Sequence, residues 1–230
     1  MGLRGFRAVV FDLDGTLADT LATIAGVLNF ALRSLGLPEH SLSACKAMVG
    51  EGVSALCRKA LPPGREETDK LHGELLARVR ARYADHYLDD ARLYDGMEAL
   101  LRELKRRDAR LAVLSNKPDL LTTKTIEGLG IAPLFDAIVG QRDDFPPKPD
   151  PAGARFVQRA LAVAAEEVLY VGDSAIDMET ARAAAFAPVG VLWGFRGRDE
   201  LVDHGARWLV GTPREIVPIY AGESTGRDRP

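Results

Sequence analysis

The chain has 230 residues, which suits one large domain or a core with a smaller appendage. Hydrophobic residues make up 47% and charged residues 27%, a composition that permits a buried core and argues against a disordered chain. The net charge is −3 and no basic stretch carries interleaved aromatic residues, which argues against a nucleic-acid-binding protein.

The sequence predicts a cytoplasmic protein with no membrane partner, either a monomer or a homodimer. No apolar stretch approaches the ~20 residues that a membrane-spanning helix requires. The N-terminal residues MGLRGFR lead directly into an apolar run, so we expect no signal peptide. Cys45 and Cys57 have no histidine nearby at metal-ligand spacing, and we interpret them as buried, reduced cysteines rather than a zinc site.

Short apolar runs rich in β-branched residues recur along the chain and predict six strands, with helical patterns between the later ones. The strands are predicted at 8–11, 110–115, 136–140, 167–173, 188–193 and 208–211, and the helices at 97–107, 119–130, 151–163 and 175–186. Strands that alternate with helices indicate a parallel sheet with right-handed crossovers. We therefore expect an α/β protein with a doubly wound parallel sheet.

The interval between the first two predicted strands differs, because about a hundred residues there give no strand signal. Helical patterns cover 20–36, 44–61 (with a glycine-containing bend) and 66–87, and a loop is predicted at 62–66. An all-helical insertion after the first strand predicts a small cap over one edge of the sheet.

The pattern divides the chain into two units and a tail. The cap is placed at residues 18–90, and the catalytic core at residues 1–17 and 91–222. The last residues, 223–230, have the composition of a disordered tail.

Polar residues follow the predicted strands at their carboxyl ends, which share one edge of a parallel sheet and collect ligands there. These clusters are Asp12-Leu13-Asp14-Gly15-Thr16, Ser115-Asn116-Lys117, Lys148 between two prolines, and Gly172-Asp173-Ser174 followed by Asp177. The two prolines predict a rigid, extended loop around Lys148. We expect one polar site at this edge.

Asp12, Asp14 and Asp173 supply oxygen ligands of the kind that a hard divalent cation takes, and so sparse a set suits Mg²⁺ together with waters and a substrate phosphate. The cation would compensate the charge that burial makes costly and would keep Asp12 ionised. Lys148 would add a second positive charge, and hydroxyl groups such as that of Thr16 could donate hydrogen bonds. Cations and donors around a carboxylate indicate phosphoryl transfer.

Four segments, DLDGTLADT, LSNKP, PPKPDP and GDSAID, resemble the four motifs of the haloacid dehalogenase-like hydrolase superfamily and stand in the same order. The resemblance covers nearly the whole chain. With MVGEG (48–52) and VGDSAIDMETARAAA (171–185), it is closest to the phosphoglycolate phosphatase-like family. It implies a Rossmann-like core with a small helical cap.

The resemblance also implies a role for each matching residue. Asp12 would be the nucleophile that forms an aspartyl-phosphate, and Asp14 would act as general acid and then general base. The Asp12 side chain, the Asp14 backbone carbonyl and the Asp173 side chain would hold Mg²⁺, with support from Asp177. The other matching residues would bind the phosphoryl oxygens or permit a tight turn: Thr16, Ser115, Asn116 and Lys148 for the former, and Gly15 for the latter.

The expected function is therefore that of a Mg²⁺-dependent phosphomonoesterase for a small phosphorylated metabolite, with phosphoglycolate as the leading candidate. Sugar-phosphate phosphatases, pyrophosphatases and β-phosphoglucomutase-like enzymes remain alternatives within the superfamily. A dehalogenase is disfavoured by the presence of Asp14, and a phosphonate hydrolase would need a cap lysine such as Lys46 or Lys59. A signalling receiver is disfavoured by chain length and the cap. A non-catalytic binding protein is disfavoured because both Asp12 and Asp14 are present.

Several helix ends carry further expectations. Asp19 is predicted to be the N-cap of the first cap helix, whereas Ser115-Asn116 and Ser174 could be N-caps of the helices that follow them, a role that can coexist with a role in the site. After ARAA (181–184) the family has a glycine, whereas this chain has Ala185-Phe186, so the helix lacks its usual left-handed glycine there.

Overall fold

A computed structural model of the protein describes residues 5–62 and 66–223. The strands are β1 (Ala8–Phe11), β2 (Ala18–Asp19), β3 (Arg92–Leu93), β4 (Arg110–Pro118), β5 (Ala137–Gln141), β6 (Val168–Gly172), β7 (Ala187–Val191) and β8 (Trp208–Val210). The helices are α1 (Leu21–Ser34), α2 (Leu42–Met48), α3 (Val53–Lys59), α4 (Glu66–His86), α5 (Met97–Arg106), α6 (Asp119–Gly128), α7 (Ala152–Leu161), α8 (Ala175–Ala183), α9 (Arg198–Asp203) and α10 (Ile216–Tyr220).

The core of the fold is a six-stranded sheet in the order β5-β4-β1-β6-β7-β8, and every neighbouring pair is parallel. These are the six strands predicted from the sequence, and the α/β class with a doubly wound sheet is confirmed. The first strand, β1, lies in the middle, between β4 and β6. The sheet therefore has its topological switch point beside β1, where ligands collect in folds of this kind.

Side chains alternate across β1 and join two separate hydrophobic clusters. Val9 and Phe11 lie in one cluster with residues of α5 and α10, whereas Ala8 and Val10 lie in another with residues of α7 and α8. Helices thus cover both faces of the sheet, which explains why the strands read as continuous apolar runs.

Helices α1 to α4 form a helical insert between β1 and β4 and pack around a hydrophobic cluster of their own. The chain enters and leaves the insert through β2 and β3, which pair antiparallel. The predicted boundaries of the cap, residues 18 and 90, lie close to this pair. The division of the chain into cap and catalytic core stays a prediction.

Some local expectations were wrong. Asp19 is not the N-cap of α1, because it lies in β2, where its Oδ2 is 3.0 Å from Arg92 of β3, and Thr20 occupies the cap position. The single bent helix predicted at 44–61 is two helices, since Gly50 and Gly52 between them have positive φ angles of 129° and 89°.

Several features fell outside the sequence predictions. The two-residue strands β2 and β3 and the short helices α9 and α10 gave no recognised pattern. The predicted loop at 62–66 falls mainly, and the predicted tail at 223–230 almost wholly, outside the described residues. Within the described part of the chain, no helix combines the length and the apolar character needed to cross a membrane.

Candidate active site

The polar clusters predicted at the strand ends meet in one pocket between the sheet and the helical insert. Asp12, Ser115, Lys148 and Asp173 line its floor. Its other wall comes mainly from the insert and is largely apolar, with Ile24, Val27, Val49, Val53, Leu56, Val79 and Tyr83. The sheet therefore supplies charged groups and the insert supplies most of the apolar surface.

Lys148 lies at the centre of the charged floor. Its Nζ donates to Asp12 Oδ1 at 2.8 Å, to Asp177 Oδ1 at 2.7 Å and to the Leu114 carbonyl at 3.2 Å. Burial alone would lower the pKa of this lysine, but Asp12 and Asp177 raise it well above its ordinary value. Lys148 therefore stays charged and ties the loop after β5 to the end of β1, to β4 and to the first turn of α8.

Asp12 is 8% exposed, and its environment opposes ionisation. Burial raises the pKa of Asp12 to about 7, and the carboxylates of Asp177 and Asp14 act in the same direction, whereas Lys148 opposes them. A carboxylate in this position needs a further positive charge nearby to act as a nucleophile at neutral pH.

Asp173 is 2% exposed and faces the turn that follows β1. Its Oδ2 accepts a hydrogen bond of 2.6 Å from the Phe195 backbone N–H, and burial and the charge of Asp177 raise its pKa well above the ordinary value. Gly15, with φ at +90°, packs directly against this carboxylate, so that any side chain at position 15 would collide with it. The close approach explains the glycine.

Asp177 lies at the N-terminus of α8 and is fully buried. Besides Lys148, it accepts hydrogen bonds from the backbone and hydroxyl of Ser174, at 3.2 and 2.7 Å, and from the Tyr170 hydroxyl at 3.4 Å. Ser174 is the N-cap residue of α8, as predicted. Both carboxylate oxygens of Asp177 therefore accept hydrogen bonds, and these bonds hold Lys148, Tyr170 and Ser174 in place.

The acidic groups fit a divalent cation. Carboxylate oxygens of Asp12, Asp173 and Asp177 all lie within 4.8 Å of one another, and all three side chains are buried. Lys148 is the cation that pairs directly with two of them, so three carboxylates face one ammonium group. A hard, oxygen-binding dication would balance this charge. The donor set therefore suits Mg²⁺, which would be held by Asp12 and Asp173, because Asp177 is engaged elsewhere.

Asp14 is held by two groups that had no predicted role in the site. Lys117 Nζ lies 3.0 and 3.2 Å from its two carboxylate oxygens, and the Thr20 hydroxyl donates to Oδ1 at 2.7 Å. The same ammonium group donates to the hydroxyl of Tyr83, on α4 of the insert, at 2.6 Å. Asp14 is thereby fixed in the pocket beside Asp12.

The predicted phosphate-binding residues are placed unequally. Ser115 and Asn116 line the pocket, but the Asn116 side chain is already hydrogen-bonded to backbone groups. Its Nδ2 donates to the carbonyls of Lys148 and of Gly50 in the insert, and its Oδ1 accepts from the Lys148 N–H. The Thr16 hydroxyl is fully buried and lies 3.4 Å from Asp173 Oδ1. Phosphate binding by these three residues and by Lys148 stays a prediction.

Three residues of the site were given no role from the sequence. Lys117 was named in the cluster Ser115-Asn116-Lys117 but assigned no function, although it follows strand residues that are nearly all buried and the burial argument that selects Asp12 applies to it too. Arg196 donates to three backbone carbonyls at the end of α2, which no local pattern indicates. Tyr83 looks like an ordinary core aromatic on an amphipathic helix.

The fold and the site together define an α/β enzyme with a carboxylate-based site at the carboxyl edge of a parallel sheet. Residues 9–191 match the family described as haloacid dehalogenase-like hydrolase. The chain belongs to this family, and the recognition made from the four motifs is confirmed.

Curated relatives and solved structures agree with this assignment. Phosphoglycolate phosphatase of Pseudomonas putida is 32% identical over 96% of this chain and 82% of its own length. That of Rhodospirillum rubrum is 39% identical over 87% of this chain and 85% of its own length. The crystal structure of a Lactobacillus delbrueckii protein, provisionally assigned as a phosphoglycolate phosphatase, superposes with a TM-score of 0.86 at 28% identity and covers 94% of this chain and 98% of its own.

Proposed function

We propose that this hydrolase is a Mg²⁺-dependent phosphomonoesterase that acts through an aspartyl-phosphate, and that its substrate is phosphoglycolate. The observation that carries the proposal is the joint placement of Asp12, Asp14, Lys148 and Asp173 in one pocket. Two carboxylates with different partners in one site suit a nucleophile and a proton-transfer group.

In the first half-reaction, an Asp12 carboxylate oxygen attacks phosphorus and the bond from phosphorus to the bridging oxygen breaks. Asp14 gives its proton to the departing oxygen, so that an alcohol leaves rather than an alkoxide. The Lys148 ammonium, 2.8 Å from Asp12 Oδ1, orients the nucleophile and offsets the charge of the phosphoryl group beside it.

In the second half-reaction, Asp14 takes a proton from water, and the resulting hydroxide attacks the phosphorus of the aspartyl-phosphate. The bond from phosphorus to Asp12 breaks, which releases inorganic phosphate and restores the carboxylate. The Thr20 hydroxyl, which donates to Asp14 Oδ1 at 2.7 Å, helps to hold the side chain in place.

Mg²⁺ bound by Asp12 and Asp173 would supply positive charge to the phosphoryl oxygens and keep Asp12 ionised. The backbone N–H of Phe195 orients Asp173 for this purpose. Ser115 and backbone amides of the strand ends would donate hydrogen bonds to the phosphoryl group. The insert would exclude water from the reacting atoms with its apolar wall.

Support for phosphoglycolate as the substrate comes from the relatives. Both named relatives are phosphoglycolate phosphatases, and each aligns with more than four fifths of this chain. The segments SNKP, KPDP and VGDSAID, which resemble that family, lie around the pocket. We also propose that the enzyme is cytoplasmic, as a monomer or a homodimer, and binds neither nucleic acid nor membrane.

The test compares kcat/KM for phosphoglycolate, a sugar phosphate and pyrophosphate with Mg²⁺ present. We expect phosphoglycolate to rank first, and Asp12→Asn to lower its turnover by about 10³-fold or more while the fold is kept. Asp143→Asn, in an exposed loop, is the matched control and should retain full activity. Near-normal turnover by Asp12→Asn would contradict the mechanism, and a better sugar-phosphate substrate would contradict the substrate assignment.

A further inference from the structure

Lys117 is a buried lysine that the mechanism of phosphoryl transfer does not itself require. It follows Asn116 at the end of β4 and is 5% exposed, in the pocket wall beside Asp14. Burial alone would lower its pKa, but Asp14 and Tyr83 raise it above the ordinary value, so the side chain is charged. A buried charge is costly unless it is paired, and here its partners are specific.

The ammonium group of Lys117 joins two parts of the molecule. Two of its contacts, at 3.0 and 3.2 Å, reach both oxygens of the Asp14 carboxylate, and the third, at 2.6 Å, reaches the Tyr83 hydroxyl. The ammonium group also lies 4.7 Å from the centroid of the Tyr83 ring. Asp14 belongs to the loop after β1, whereas Tyr83 belongs to α4 of the helical insert.

Tyr83 is itself firmly placed. It is 5% exposed and belongs to the hydrophobic cluster of the insert, together with Leu28 and Val79. Its position therefore depends on the packing of α4 against the rest of the insert. Any displacement of α4 from the sheet would remove one of the three partners that direct the Lys117 ammonium group.

Resting on the proposed function, we propose that Lys117 is a positioning residue. Together with Tyr83, it fixes the Asp14 carboxyl group in the orientation from which that group protonates the leaving oxygen. Proton transfer then depends on the seating of α4 over the sheet. The insert contributes to the chemistry through this contact, in addition to covering the pocket.

The proposal predicts how the rate depends on the leaving group. A misplaced Asp14 protonates the departing oxygen poorly, which slows esters of basic alcohols much more than esters of acidic phenols. The suitable quantity is kcat/KM, because it reports the steps up to formation of the aspartyl-phosphate and leaves out its hydrolysis. The suitable probes are substituted phenyl phosphates, which differ in the basicity of the leaving group but hardly in shape.

The experiment measures the slope of log(kcat/KM) against leaving-group pKa for the wild-type enzyme, Lys117→Met, Lys117→Arg and Tyr83→Phe. We expect Lys117→Met to lose about 100-fold on the most basic leaving group and less than about fivefold on p-nitrophenyl phosphate, which steepens the slope. Tyr83→Phe should steepen it less, and Lys117→Arg should restore part of the wild-type slope, since it keeps a cation beside Asp14.

The chain offers a matched control outside the pocket. Lys124 of α6 lies 5.9 Å from the ring of Tyr87, which follows α4, so it is a second lysine–tyrosine contact between the same regions. Lys124→Met and Tyr87→Phe should leave both the rate and the slope unchanged.

The slopes distinguish three outcomes. A steeper slope in Lys117→Met and Tyr83→Phe, but not in the controls, supports the proposal. An equal loss of kcat/KM across the series, with the slope unchanged, overturns it and assigns Lys117 a purely structural role. If Lys117→Met does not fold, an unchanged slope in Tyr83→Phe is enough to overturn the proposal. A wild-type enzyme that hydrolyses neither these esters nor phosphoglycolate would instead overturn the proposed function.

Discussion

Ala185, which follows α8, shows how a single residue can hold an unfavourable backbone conformation. Its φ is +61°, in the left-handed region where glycine is the usual residue. Its N–H donates to the Arg182 carbonyl, and that of Phe186 donates to the Ala181 carbonyl at 2.8 Å. These two bonds form a Schellman motif, which requires a left-handed residue at position 185. Alanine therefore takes the conformation expected of the missing glycine.

Replacing Ala185 by glycine should stabilise the protein. Relief of the steric strain exceeds the greater entropy of glycine in the unfolded chain, so we expect a gain of about 0.5–1 kcal/mol in the free energy of unfolding. Ala183→Gly is the matched control, because Ala183 is also exposed but helical, and it should destabilise by about 0.5–1 kcal/mol. Urea unfolding measures the free energy of unfolding of both variants. A loss of stability in Ala185→Gly would contradict the backbone strain assigned to Ala185.

Single residues also show the limit of sequence-based prediction. Asp12, Asp14 and Asp173 could be selected because charged residues at buried strand ends need a reason to be there, and Lys148 because its loop reaches the same edge of the sheet. Tyr83 could not, since an aromatic residue in a helical pattern is normally a core residue, and its hydroxyl acquires its role only when α4 is laid over β4.

At the scale of elements, the contact between the loop after β7 and the end of α2 joins the sheet to the insert. Arg196 donates to the carbonyls of Lys46 at 2.6 Å, Ala47 at 3.3 Å and Val49 at 2.7 Å. Carbonyls at a helix C-terminus are left without helical partners and carry partial negative charge, which a guanidinium group satisfies well. The same loop holds Asp173 through Phe195, so the insert and the acidic cluster share one support.

Removing the Arg196 side chain should loosen this junction. Charge-assisted hydrogen bonds contribute about 1.5–3 kcal/mol, so we expect backbone amides of residues 45–52 to exchange hydrogen about tenfold faster in Arg196→Met. Amides of β1 and β6 should exchange as in the wild type. Arg198→Met, an exposed arginine two residues further on, is the control. Unchanged exchange at residues 45–52 in Arg196→Met would show that other contacts secure α2.

At the scale of the whole molecule, the acidic cluster links stability to pH. Burial raises the pKa of Asp12 to about 7 and that of Asp173 well above its ordinary value, whereas both groups titrate near pH 4 in the unfolded chain. The folded protein therefore binds protons more tightly than the unfolded chain. The contribution of these two groups to the free energy of unfolding is therefore fully present below about pH 4 and is lost as the pH rises toward 7.

Mg²⁺ should reverse this loss. We expect the rise in Tm on replacing EDTA by saturating Mg²⁺ to be about 5 °C or more at pH 7.5 and clearly smaller at pH 5.5, where protons compete for the carboxylates. Asp173→Asn should abolish most of the effect, and Asp143→Asn should leave it intact. An equal rise at both pH values would contradict the link between the cluster and the metal.

The long strands and helices were predicted from the sequence much better than the short connecting strands and the contacts between the insert and the core. Fully buried strands such as β1, β6 and β7 leave a strong apolar signal, and the helices α5 and α7 show clear helical periodicity. The pair β2 and β3 is two residues long in each strand, so it is defined by its partner across the chain and not by local composition. Contacts between insert and core, such as that of Arg196, depend on how two separately packed layers meet.

The central position of β1 in the sheet has a consequence for how the chain folds during its synthesis. Residues 8–11 leave the ribosome before both of their partners, residues 110–113 and 168–171. At a translation rate of about 5–20 residues per second, the second partner follows roughly 10–30 s later. For that time this apolar strand, which is fully buried in the folded protein, has no completed sheet to join. The order of synthesis thus gives a nascent-chain chaperone a reason to shield β1.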